Sequence, residues 1–119
     1  MDDTCIMELC DPYRLPVGQA IRSARKLSKT KPNLAPALGA YVRYLALSSM
    51  SDARSIQRAL EVLYAISDPR TFAATCRHVK EEGSPTSSAM VRWLEAGTER
   101  RVRRFLPGLP AAHTGVGGA

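Results

Sequence analysis

Four side chains in this sequence carry the nitrogen and sulfur donors that a structural zinc ion prefers: Cys5, Cys10, Cys76 and His78. The spacing of the first pair is tolerable for a shared tetrahedral ion. Cys76 and His78 fit less well, because two steps along a helix turn a side chain by about 200°. One ion reaches both only if that helix breaks between them. The competing assignment makes Cys76 a small core residue, Cys10 a packing residue, and Cys5 and His78 surface groups. Three cysteines are an odd number and too few for a disulfide scaffold, which agrees with a reducing compartment.

Acid–base and nucleophilic chemistry has still less to draw on. His78 and His113 are the only histidines, and no Gly-x-Ser-x-Gly turn or activated-cysteine signature accompanies them. Asp52, Glu61 and Asp68 stand at helix starts or beside arginine, where capping and pairing account for them. Glu81 and Glu82 read as a solvated helix end, and Gly115 to Gly118 follow no strand and open no helix, as a phosphate loop requires. The expectation is a protein that is not an enzyme and carries no cofactor.

Positive charge is the remaining chemistry. Seventeen Lys and Arg against eleven Asp and Glu give a formal charge of +6. Its distribution is uneven. Residues 1–11 hold four acids and no base, whereas residues 12–51 hold seven bases and no acid. Two clusters follow: Arg22, Arg25, Lys26, Lys29 and Lys31, and then Arg100, Arg101, Arg103 and Arg104. Recurrence at three and four residues keeps several of these on one helix face, where they are able to neutralise phosphates. Charge runs also serve as solvated surface or as a nuclear-import signal. A surface built only for solubility mixes signs, which the acid-free block does not.

These residues are held by helices: the prolines at 12, 16, 32, 69, 85 and 107 bracket helical patterns. The first stripe is Val17, Ala20, Ile21, Ala24 and Leu27; the second, starting from an Asn33 cap, is Leu34, Leu38, Tyr41, Val42 and Leu45, with Pro36 tolerated only in its first turn. Ser51 or Asp52 caps a third helix with Ile56, Ala59, Leu60, Leu63 and Ile66 inward and Arg54 and Arg58 on its polar side, where Glu61 offsets their repulsion. Ser67-Asp68-Pro69 opens a fourth helix with Phe72, Cys76 and Val79 inward, and Gly83 suits the left-handed residue that follows it. A fifth, from Ser84-Pro85 or Ser87, aligns Val91, Leu94, Thr98, Val102 and Phe105, with Met90 and Trp93 widening the stripe.

The fold class predicted is therefore all-α, a compact bundle of about five short helices, with residues 1–106 as one domain. The N-terminus reads as irregular, with Ile6, Met7 and Leu9 lying across the bundle or in a short strand. Residues 107–119, rich in glycine and proline and without charge, read as a flexible tail. No stretch is long and apolar enough for a membrane span, and the acidic start does not match a secretory signal, so an intracellular, cytoplasmic or nuclear location is expected.

The stretch from Gly18 to Lys26, followed by Leu34 to Gly39, resembles the first two helices of phage-repressor helix-turn-helix domains over about a fifth of the chain. The spacing is one residue short, Pro36 falls inside the second helix, and Tyr41 to Leu47 is too apolar to enter a groove. No family is identified from it.

The sequence thus points to a non-catalytic nucleic-acid-binding protein that recognises backbone or shape, of RNA or of a duplex, through its basic helix faces. The alternative is a regulatory or accessory module that docks an acidic or hydrophobic protein partner, for which Trp93 and Met90 are the candidate contacts. A zinc site would stabilise such a module, and a homodimer is compatible with either reading.

Overall fold

The computed structural model describes residues 3–48 and 52–106. They form six helices: α1 (Asp3–Leu9), α2 (Val17–Ser28), α3 (Leu34–Leu47), α4 (Ala53–Ile66), α5 (Pro69–Glu82) and α6 (Pro85–Arg103). The all-helical class read from the stripes holds, with no strand among the described residues. The N-terminal segment departs from the irregular course expected of it. It forms the sixth helix, α1, because Ile6 and Leu9, one turn apart, both reach the core, while Met7 between them stays exposed. The expected flexible tail, 107–119, lies outside the described residues.

Three helix starts follow from their capping residues. The Asp52 carboxylate accepts from the Ser55 amide at 2.8 Å, that of Asp68 from the Thr71 amide at 2.8 Å, and the Ser84 hydroxyl from the Ser87 amide at 3.1 Å. Pro69 and Pro85 then occupy the first turns of α5 and α6, where a missing N–H costs nothing. Asn33 precedes α3 as expected, but its side chain makes no capping bond. Gly83 differs as well: it is extended, at φ −84° and ψ 171°, and not left-handed. A Cβ there would lie 3.1 Å from both Ser87 Cβ and the Val79 carbonyl, so close approach is the constraint at this corner.

α4 is the centre of the bundle, packed against α2, α3 and α6. Its Ile56, Ala59, Leu60 and Leu63 are buried as the periodicity demands, and they join Leu34, Leu38 and Val42 of α3 and Val91 and Leu94 of α6 in the main core. A second, smaller cluster matters more for charge placement. Ile21 of α2, Val102 of α6 and Leu106 form it, with Val17 and Phe105 packed against them. This cluster ties the start of α2 to the end of α6, elements far apart in sequence.

Candidate nucleic-acid interface

On α2 the apolar stripe turns Ala20, Ile21 and Ala24 inward and leaves Arg22, Arg25 and Lys26 exposed, with Lys29 exposed at the C-cap and Lys31 in the following loop. Of the seven bases in the acid-free block, Arg43 is bound by both Glu82 carboxylate oxygens, the closer at 2.7 Å, and Arg14 pairs with Glu8 at 3.7 Å. The other five make no ion pair with any described residue, and these are the five of the first cluster. Arg25 and Lys26 sit in the last turn, where the negative end of the helix dipole favours cations. That role needs one or two charges and leaves the rest unaccounted for.

The second cluster divides. Arg101 Nε donates to Glu61 Oε2 at 2.8 Å, and its Nη2 reaches the Leu94 carbonyl at 3.2 Å and the Thr98 hydroxyl at 3.3 Å. The guanidinium folds back along α6 over Gly97, and a Cβ at that position would lie 2.5 Å from Arg101 Nη1. Arg103 pairs with Glu99 one turn earlier at 2.8 Å. Arg100 and Arg104 are exposed and make no ion pair with a described residue. Two of the four arginines are therefore committed to the fold.

Glu61 is the node that commits Arg101. It is only 4 % exposed and accepts from Gln57 at 3.2 Å as well as from Arg101, with Arg58 Nε 3.5 Å from its other oxygen. Arg58 was expected on the polar side of α4, yet it is 8 % exposed and donates through Nη1 to the Leu15 carbonyl. The reason is packing: the turn before α2 folds over α4, and the Leu15 carbonyl takes its donor from Arg58 there. No buried side-chain nitrogen or oxygen among the described residues lacks a hydrogen bond. The sequence signal was the Arg58/Glu61 spacing of three, one turn of helix, which gives a pair but not its burial.

The end of α6 touches the start of α2. Phe105 Cδ1 lies 2.9 Å, and Arg22 Nη1 3.2 Å, from the point a Cβ on Gly18 would occupy. Gly18, Arg22, Arg25 and Lys29 recur at four, three and four residues, so the α2 flank bearing these cations is the flank that touches the end of α6. Only glycine leaves room for the Phe105 ring at this crossing.

Other candidates separate. Cys10 and Cys76 are buried, Cys5 half-buried and His78 exposed, and no three Cys, His, Asp or Glu side chains among the described residues converge as a metal site would require. Burial pushes both the Cys10 and the Cys76 thiols up to about 12, which keeps them protonated and poor ligands or nucleophiles. Cys76 faces the core and His78 the solvent on opposite sides of an unbroken α5. Met90 is half-buried against the core, whereas Trp93 is 74 % exposed. The stripe drawn through both is therefore two surfaces. A groove of about 470 Å³ between α1 and α3, lined by Ile6, Met7, Ala37, Ala40, Tyr41 and Tyr44, carries no charged side chain. Tyr41 and Tyr44 stack along its edge, ring centres 6.2 Å apart. Among the described residues no helix is long and apolar enough to cross a membrane.

No protein-family model, curated protein or solved structure matches the chain. The helix-turn-helix likeness therefore rests on its own residues, and α3, where a groove-reading helix would follow, buries Leu34, Leu38, Val42, Leu45 and Ala46 in the core.

Proposed function

We propose that this protein binds nucleic acid through the sugar-phosphate backbone, along a basic face made of Arg22, Arg25, Lys26, Lys29 and Lys31 and extended by Arg100 and Arg104. The observation that carries the reading is the selective pairing within the acid-free block: Arg14 and Arg43 have carboxylate partners, and the five clustered cations have none among the described residues. Unpaired cations held at helical spacing on one flank match the repeat of a polyanion better than the mixed signs of an inert surface. Arg101 and Arg103 are removed from the binding set, because releasing them would break the pairs with Glu61 and Glu99.

Titration with labelled RNA and DNA at several salt concentrations tests this. Affinity falls as salt rises, with a slope that counts the phosphates neutralised at roughly 0.9 per contact on a duplex and 0.7 on a single strand. Reversal of Arg22, Arg25 and Lys26 to Glu abolishes binding and leaves the melting temperature within a few degrees of the parent. Binding absent at low salt, or indifferent to salt, refutes the proposal. The competing role, a Trp93-centred protein contact, is the one that the same charge reversal leaves intact.

A further inference from the structure

Trp93 is the chain's only tryptophan, and it stands in solvent on the middle of α6. It is 74 % exposed. Of the residues one turn before and after it, Ala89 and Ala96 offer only a methyl group, Met90 packs against the core and the Arg101 guanidinium lies over Gly97, so the indole stands clear of bulky apolar neighbours. Continuing along the same outward stripe come Arg100 and Arg104, two and three turns beyond, roughly 10 and 16 Å at 1.5 Å per residue. The two acids of this stretch, Glu95 and Glu99, lie on the flank toward α5, where Lys80 holds the first at 2.8 Å and Arg103 the second. Among the described residues no carboxylate of α6 therefore lies on the stripe itself. Past Arg104 the chain reaches Phe105, which packs on Gly18 beside the Arg22 guanidinium, so the C-terminal end of α6 abuts the start of α2.

We infer that Trp93 is a base-stacking platform for single-stranded nucleic acid, with Arg100 and Arg104 meeting the phosphates of the same strand as it passes toward α2. This rests on the nucleic-acid reading above and specifies the form of ligand. A duplex hides the faces of its bases within its own stack, whereas a single strand offers one on every nucleotide. An indole alone would serve a protein contact equally well; the acid-free arginines in register with it are what select a polyanion carrying planar rings.

Because Trp93 is the sole tryptophan, its fluorescence reports the contact without a label. Protein is titrated with short oligouridylate, oligothymidylate and a duplex of equal length, following Trp emission and, in parallel, the anisotropy of an end-labelled strand. The expected result is quenching by the single strands and none by the duplex, with the two single strands differing only if the ribose hydroxyl is contacted. W93A weakens single-strand binding by roughly 5- to 150-fold, the cost of one lost stack, while W93F keeps most of the affinity and W93L does not. The salt slope of W93A equals that of the parent, since no phosphate contact has gone. Salt-dependent binding without quenching, or with W93A as tight as the parent, overturns the stacking platform and leaves the backbone-binding function standing. No binding by any of the probes overturns both. Emission that changes as the protein alone is concentrated identifies a second copy as the occupant and overturns the inference.

Discussion

The two arginine- and lysine-rich tracts look alike as strings of residues, yet they are put to different uses. Arg22, Arg25 and Lys26 of α2 and Lys29 at its C-cap point away from the stripe and pair with no carboxylate among the described residues, while at the end of α6 Arg101 and Arg103 hold an acid and Arg100 and Arg104 face solvent. The difference comes from the neighbours. α6 lies along α4 and carries Glu99 one turn before Arg103, so two of its cations find partners; α2 presents its basic flank on the outside of the bundle, in a stretch of chain with no acid to offer. A cluster of charge is therefore not a unit of function until the acids within reach have been counted.

That comparison breaks most sharply at Glu61. Its removal leaves Arg58 buried and Arg101 half-buried without their carboxylate, and E61A is expected to lose about 3–5 kcal/mol in urea unfolding, as buried pairs do when one partner is deleted. An E61A variant as stable as the parent would mean that Arg101 is as free as Arg100. Next in size is the contrast within α6. R101M costs about 1–3 kcal/mol of stability through its charged hydrogen bonds and leaves nucleic-acid affinity nearly unchanged, whereas R100A together with R104A leaves stability unchanged and flattens the salt slope by one to two phosphates. Equal effects of the two variants on binding would erase the division.

A smaller effect resides at Gly97. Alanine in a helix interior is favoured over glycine by about 1 kcal/mol, but here its methyl group would displace the Arg101 guanidinium. G97A is accordingly stabilising in the R101M background and not in the parent, a coupling that a double-mutant cycle measures. The smallest effect concerns pH. The Ser55 amide, and after it the Tyr13 hydroxyl, hold the Asp52 carboxyl below its ordinary value, and the Thr71 amide does the same to Asp68. A folded-state value below the unfolded one contributes stability above about pH 3.9 that is lost as pH falls through the folded value. The melting temperature of the parent thus falls more steeply below pH 4 than that of D52N, whose amide still caps α4 but does not titrate.

Much of the architecture was legible before any coordinates. Ala20, Ile21 and Ala24, or Phe72, Cys76 and Val79, declare their buried face by spacing alone, and Ser67-Asp68-Pro69 declares a helix start by local hydrogen-bond chemistry. The N-terminal helix escaped because seven residues hold too few turns for a periodicity to emerge, and its formation depends on α2 and α3 covering Ile6 and Leu9. Arg58 escaped for a related reason: at the margin of a stripe, a long cationic side chain is inside or outside according to what packs above it.

The sequence by itself determined the helical class, the inward stripes and the acid-free run of charge, because each depends on residues within a few turns of one another. Which of the cations remained available was a tertiary decision. Glu61 and Arg101 are forty residues apart and Gly18 and Phe105 further still, and only the packing of α4 against α6, and of the end of α6 against the start of α2, brings an acid to Arg101 and Phe105 beside Arg22.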